Sequence, residues 1–281
     1  MSYQPLPGFW AAATPAARDM AYDNNRAVPD AAALIAARNA ASAAFRAAHG
    51  GHLDLPYGDA PRQKWDLFPA SDPGAPCLVF IHGGYWQRNT REDFCSIVEG
   101  AVANGWSAAL PGYTLGPEAS LTRIVAEIRA ALDWLGAQGP AHGIAGKVVL
   151  SGWSAGGHLV GMAVDHPAVT AGLALSGIFE LAPIRDTVLN EKLNLTEQEL
   201  AALSPLRLPA VQKPVAVAYG SAELPELRRQ SRDWHAHRAA AHAPGPLIPV
   251  RNADHFRILD ALRAKDGELM RAATDLLRHA P

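Results

Sequence analysis

Gly152-Trp153-Ser154-Ala155-Gly156-Gly157 holds the residues whose types and spacing best fit a chemical task. The apolar run Lys147 to Ser151 leads straight into this G-x-S-x-G pattern and a helix-compatible stretch follows, so a strand is expected to turn sharply into a helix with Ser154 at the corner. In so tight a turn a side chain at Gly152 or Gly156 would collide with neighbouring backbone and bury the serine hydroxyl. The helix behind the corner aims free N–H groups and the positive end of its dipole at the place where an oxyanion forms. An alcohol so placed attacks carbonyl carbon once a base takes its proton. The same residues also suit an ordinary serine in a strand-to-helix turn, and the partners decide between the two.

A second glycine-rich segment lies upstream. The run Leu78-Val79-Phe80-Ile81 ends in His82-Gly83-Gly84-Tyr85-Trp86, which places a loop at the carboxyl end of a strand, where α/β proteins bind ligands. The backbone N–H groups of Gly84 and Tyr85, with that of Ala155, are the expected oxyanion donors, and His82 is read as a brace for the loop. In this chemistry the chain order serine, acid, histidine directs the search for the base to the C-terminal third. There Asn252-Ala253-Asp254-His255-Phe256 stands between the apolar run Leu247 to Val250 and a final helix, which selects His255.

The other histidines fit less well. His235, His237 and His242 fall in a charged helical segment expected to face solvent, and His158 lies inside the helix after Ser154. His235 and His237, two residues apart, do not share a helix face from which to hold a metal. Glu223 and Glu226 both follow the run Val215 to Tyr219. Glu223 is nearer the strand end and is chosen as the acid that orients the imidazole, whereas Glu226, after Pro225, suits the first turn of the next helix.

These residues need a frame that brings them together, and the rest of the pattern describes one. From about Lys64 onward short apolar runs, Leu78 to Ile81, Ser107 to Leu110, Val148 to Ser151, Leu173 to Ser176 and Val215 to Tyr219, alternate with longer helical stretches, as in a parallel sheet with crossover helices. Leu121, Ile124, Val125, Ile128, Leu132 and Leu135 share one helical face, with Gly136 read as the stop. Asp30 to His49 is Ala-rich and precedes Gly50-Gly51, so it reads as a helix packed over the body as an extension or cap. No repeat or long linker divides the chain. The expectation is an α/β-hydrolase fold in one domain, with a mostly parallel central sheet flanked by helices, a helical N-terminal extension over residues 1–60 and a catalytic core over 61–281.

Composition narrows the partners. Across 281 residues, 49% are hydrophobic and 19% charged, enough apolar side chains to cover both faces of a buried sheet. A net charge of -2 without runs of Lys or Arg argues against nucleic acid. Met1 to Trp10 lacks a basic start followed by an apolar stretch, and no segment has the roughly 18 apolar residues of a membrane span, so a soluble, cytoplasmic protein is expected. Cys77 and Cys95 fit buried free thiols. The chemistry needs a small-molecule substrate and no cofactor or metal; a homodimer is compatible with the sequence.

Taken together, His82-Gly83-Gly84-Tyr85-Trp86, the Ser154 elbow, Tyr113-Thr114-Leu115-Gly116-Pro117-Glu118 and Asp254-His255-Phe256 resemble the kynurenine formamidase (arylformamidase) branch of the α/β hydrolases, over most of the chain from about Lys64. Two departures from neighbouring groups stand out: Tyr85 replaces a third glycine of the lipase-like relatives, and the acid is a glutamate where many relatives use aspartate. The resemblance implies N-formyl-kynurenine as substrate, with Tyr85, Trp86, Trp153 and Phe256 as apolar walls around an aryl ring. The same residues would serve a carboxylesterase or a specialised amidase. From another class, a non-catalytic binding protein on a hydrolase scaffold ranks lower, because every residue type of the triad is present. The segment Phe179 to Leu208, with Arg185, Asn190 and Asn194, is expected to form part of the pocket roof.

Overall fold

The computed structural model describes residues 8–278. Of the segment Met1 to Trp10, residues 1–7 lie outside the described residues. Eight strands, β1 (His52–Pro56), β2 (Lys64–Phe68), β3 (Cys77–Ile81), β4 (Ser107–Pro111), β5 (Val148–Trp153), β6 (Ala171–Leu175), β7 (Val215–Gly220) and β8 (Leu247–Val250), form one sheet in the order β1-β2-β4-β3-β5-β6-β7-β8. From β4 to β8 every pairing is parallel, and β2 runs antiparallel to both of its neighbours. The mostly parallel sheet flanked by helices is the architecture expected from the alternating pattern.

The central strands are uniformly buried, which is why they read as continuous apolar runs. Alternation along each strand feeds two cores. Val79, Ile81 and Leu150 pack toward the helices Leu121–Gln138, Ala155–Ala163 and Pro225–Ala240. Leu78, Phe80 and Val149 pack toward Arg91–Val98 and the C-terminal helix Glu268–Arg278.

Two expectations need correction, and one strand was not anticipated. Residues 52–56, read as part of a helical extension, form the edge strand β1; its pattern is half exposed and holds only two leucines, too weak a signal beside the long Ala-rich helix. Lys64–Phe68 forms β2, whose Asp66 interrupts an apolar run because it is a buried charge with partners. Gly136 does not stop its helix, which continues to Gln138: a side chain there would have room, its nearest neighbour being the Ala168 methyl at 3.5 Å. The helix ends just before Pro140, which has no N–H to extend the ladder.

The N-terminal helix Ala31–Ala48 is fastened to this frame at several points. Ser42 Oγ donates to the Asp93 carbonyl at 2.9 Å, and Phe45 meets Phe68 edge to face. Arg46 Nε donates to Asp66 Oδ2 at 2.8 Å; the same carboxylate takes the Asp54 N–H at 3.0 Å and lies 3.2 Å from Arg91 Nε. Burial pushes the Asp66 pKa up, but the Arg46 hydrogen bond, the Arg91 charge and the Asp54 N–H outweigh it and hold the carboxyl below its ordinary value. A group lowered in the folded state stabilises the fold above its unfolded pKa, about 3.9, and that contribution is lost as pH falls through the lower folded value. In urea titrations Asp66→Asn should cost about 3 kcal/mol at pH 7 and flatten the loss of stability below about pH 4. An acid limb as steep as that of the wild type would contradict this assignment.

Candidate active site

The register of the parallel strands sets the site. Ile81 pairs with Gly152, Trp153 with Leu175, Leu175 with Ala218 and Gly220 with Val250, so the carboxyl ends of β3, β5, β6, β7 and β8 share one edge. The loop after Ile81, Ser154, Ser176, Glu223 and His255 all follow those ends, where an open α/β sheet binds ligands.

At the corner Ser154 adopts φ 58°, ψ −119°, a conformation that L side chains avoid. The surrounding glycines permit it. A Cβ on Gly156 would stand 2.0 Å from the Ile81 carbonyl oxygen, and one on Gly152 would stand 2.4 Å from that of Gly156. The Ser154 N–H donates to Leu175 O at 2.8 Å, pinning the corner to β6, and the helix Ala155–Ala163 begins directly behind it.

His255 and Glu223 are brought to this corner. Trp153 Nε1 donates to the His255 carbonyl at 2.7 Å, and the two rings lie 4.6 Å apart. Ala222 N–H donates to Ala253 O at 2.9 Å, clamping the β7 exit to the histidine loop. Glu223 Oε1 stands 3.7 Å from His255 Nδ1. That oxygen also accepts Ser176 Oγ–H at 2.5 Å and the Gly220 N–H at 3.1 Å. Ser154, Glu223 and His255 are each at most 5% exposed. Glu226 is elsewhere, at the start of the helix Pro225–Ala240 and paired with Arg229 at 2.7 Å.

The loop after β3 is braced from its carbonyl side. Gly83 O accepts from His82 Nδ1 at 2.9 Å and from Asn89 Nδ2 at 3.1 Å. Because a trans peptide holds C=O and N–H in opposite directions, anchoring that carbonyl fixes the aim of the Gly84 N–H. Among the described residues, the N–H groups of Gly84, Tyr85 and Ala155 carry no backbone hydrogen bond. His82 is stacked on Tyr113 at 4.3 Å, and burial, the largest influence on it, takes its pKa down to about 3, so the ring is a neutral brace.

A cavity of about 340 Å³ opens on Ser154 and His255. Tyr85, Trp153 and Phe256 line it, as the sequence suggested; Trp86 does not. Trp86 is wholly buried and packs edge-on against His158, turned into the core. In the segment Phe179 to Leu208 the wall comes from Thr187, Val188 and Leu189. Arg185 instead pairs with Glu197, Asn190 Oδ1 accepts the Leu195 N–H, and Asn194 ends a short helix in a left-handed turn.

Other candidates settle into structural places. His158 Nε2 bonds the Leu203 carbonyl at 2.7 Å, and burial lowers its pKa to about 4. His237, expected in solvent, is half-buried and bonds the Leu208 carbonyl, while His242 is exposed beyond the helix end. Among the described residues no three His, Cys, Asp or Glu side chains are grouped as metal ligands. Cys77 and Cys95 are buried and free, and burial pushes the Cys77 thiol up to about 12. No described helix is long and apolar enough to cross a membrane.

Sequence reasoning missed Ser176, Asn89 and the wall supplied by Asp19, Tyr22, Asp23, Asn24, Asn25, Ile35 and Arg38. Ser176 had a usable signal, since it closes an apolar strand run at the edge where Ser154 emerges. The wall had none, because the docking of residues 19–25 and the helix Ala31–Ala48 onto this edge of the sheet is a tertiary fact.

The strand order, the strained serine corner and the acid and histidine on neighbouring strand exits define an α/β hydrolase. A family model described as BD-FAE matches residues 67–171. Kynurenine formamidase of Salmo salar is 30% identical over 229 residues, 75% of this chain and 76% of the relative; that of Danio rerio is 29% identical over 226 residues, with the same coverage. The chain belongs to the kynurenine formamidase family and is a hydrolase. A crystal structure from Silicibacter sp. tm1040 superposes with a TM-score of 0.83 at 28% identity, over 91% of this chain and 98% of that one. Esterase B from Lactobacillus rhamnosis gives a TM-score of 0.69 at 19% identity, over 91% and 93%, a likeness of fold.

Gly156 offers a direct check of the corner. Gly156→Ala should cost about 3 kcal/mol or more in urea unfolding, because backbone and not a flexible side chain occupies the place of the new methyl. A loss under about 0.5 kcal/mol would show that the corner relaxes freely.

Proposed function

We propose that the chain is a serine hydrolase acting through an acyl-serine intermediate, and that its substrate is N-formyl-kynurenine or a related aryl formamide. The observation that carries this reading is the His255 tether: its carbonyl is held by Trp153, next to Ser154, its ring stands 3.7 Å from Glu223, and His255 and Ser154 line the same cavity. The two curated fish relatives, both named kynurenine formamidase, support the choice of substrate.

In this mechanism His255 takes the Ser154 proton as the oxygen attacks the formyl carbon. Negative charge moves onto the carbonyl oxygen, and the Gly84, Tyr85 and Ala155 N–H groups are the donors that receive it. Collapse breaks the C–N bond while His255 returns the proton to nitrogen, which leaves poorly from an amide unless protonated. Water then enters and attacks the formyl carbon as His255 takes its proton, and the formyl–oxygen bond to Ser154 breaks as His255 returns that proton to Oγ, releasing formic acid. Glu223 keeps Nδ1–H directed and balances the imidazolium. His255 Nδ1 and Glu223 Oε2 are buried without partners, and closing the gap by about 0.9 Å would bring the pair to hydrogen-bond length, a tightening typical of substrate binding.

Ser176 is a positioning residue here, acting on the reaction through Glu223. Ser176→Ala should lower kcat about tenfold with KM within twofold of the wild type, and Ser176→Thr should restore part of it. A rise in KM with unchanged kcat would remove Ser176 from this role.

The whole reading is tested by kcat/KM for N-formyl-kynurenine beside an aryl acetate, with fluorophosphonate labelling of the wild type and Ser154→Ala. Formamide turnover with labelling lost in the variant is expected. Turnover of the acetate alone would assign a carboxylesterase, and a folded wild type that never labels would overturn the serine mechanism.

A further inference from the structure

The cavity over Ser154 contains a buried cation that the proposed chemistry does not use. Arg38, on the helix Ala31–Ala48, is 8% exposed and lines the cavity. Its guanidinium lies 3.9 Å over the Phe94 ring, and Nε and Nη2 share one neutral acceptor, Asn39 Oδ1, at 3.1 and 2.8 Å. Among the described residues it makes no ion pair, and Nη1 has no hydrogen-bond partner. The carboxylate whose field reaches it, Asp93, is engaged with the N–H and hydroxyl of Thr90.

The other deeply buried arginines show what such a group normally has. Arg91 pairs with the carboxylates of Asp54, Glu92 and Asp66, and Arg238 donates to the carbonyls of Val211, Lys213 and Pro244. Desolvating a guanidinium without such partners is costly, and the cost is recovered when an anion arrives in the same low-dielectric space. Burial lowers the Arg38 pKa only to about 10, so it stays charged near neutral pH. The ring contacts also set the distance to the chemistry. Phe94 lies 5.7 Å from Trp153, and Trp153 lies 4.6 Å from His255, so two aromatic rings stand between the cation and the imidazole. Arg88, exposed and without an ion pair among the described residues, adds a second positive charge to the same lining, in which the carboxylates of Asp19 and Asp23 each accept a backbone N–H.

We propose that Arg38 is a specificity-determining residue that pairs with a carboxylate on the substrate, several bonds from the scissile carbonyl, with Arg88 assisting at the mouth. This rests on the acyl-transfer reading of Ser154 and assigns to the carboxylate of such a substrate its partner in the cavity. A planar guanidinium receives a carboxylate through two parallel N–H bonds, which fixes the orientation of the substrate as well as holding it. Arg88, solvated and screened by salt, contributes less.

The test compares two matched pairs: N-formyl-L-kynurenine with its primary carboxamide, and an aryl acetate bearing an ortho alkyl carboxylate with its primary carboxamide. In the wild type the carboxylate member should be preferred at least about tenfold in kcat/KM. Arg38→Gln should reduce that preference by about 10- to 100-fold, chiefly through KM, and Arg38→Lys by less. An undiminished preference in Arg38→Gln, or none in the wild type, overturns the proposal. Loss of the formamide pair alone counts against the formamidase reading and leaves the ester pair to judge Arg38. Should Arg38→Gln fail to fold, the wild type decides: 4-phenylbutanoate should inhibit at least about tenfold more tightly than 4-phenylbutanamide, and equal inhibition would sink the assignment.

Discussion

The site depends on a steric constraint at one corner, where β5 turns into the helix Ala155–Ala163. Ser154 can occupy φ 58°, ψ −119° only because Gly152 and Gly156 let backbone approach to distances that no Cβ tolerates. Such a conformation costs on the order of 1–3 kcal/mol and persists because the sheet over-determines it. The Ser154 N–H is tied to β6, and β3 presses against Gly156 from the other side. Two neighbouring strands thus hold the strain, and the hydroxyl emerges above their shared edge.

From that edge the remaining groups follow by register. Parallel strands place their carboxyl ends together, so residues as distant in sequence as Gly83, Ser176, Glu223 and His255 meet without a dedicated scaffold. Trp153 joins the two halves: its backbone ends β5 beside the serine, and its indole N–H holds the His255 carbonyl. Gly83 joins the loop to the corner, since a Cβ there would fall 2.9 Å from that of Ser154. Neutral, buried His82 and the Asn89 amide then hold its carbonyl, so the loop is preorganised by hydrogen bonds that carry no net charge near the proposed oxyanion.

The parts legible in the sequence were those written in local periodicity and turn chemistry. The buried strands from Cys77 to Gly220 are continuous apolar runs, and the corner glycines announce a turn that only they permit. The sequence also pointed to Glu223 over Glu226, and the structure puts Glu223 beside His255 and Glu226 in an ion pair with Arg229. What could not be read were features decided by packing. β1 and β2 were obscured by charged residues that Arg46 and Arg91 neutralise only in three dimensions. Trp86, adjacent to Tyr85 and equally aromatic, turns into the core because the loop adopts two successive positive φ values at these residues. The N-terminal helix was legible from its alanines and the glycines after it, but not which surface it covers. Its Arg46 latch to the sheet leaves Arg38, about two turns earlier, in the lining of the cavity that also holds Ser154.

The central claim, that the alcohol at this corner becomes covalently acylated during turnover, is tested most directly by rapid-quench peptide mapping of the enzyme mixed with an aryl acetate. A transient acetyl group confined to Ser154, forming and decaying at rates competent for turnover, is the expected result. Sustained turnover with no acetyl group on Ser154, or with the group on another side chain, would contradict it.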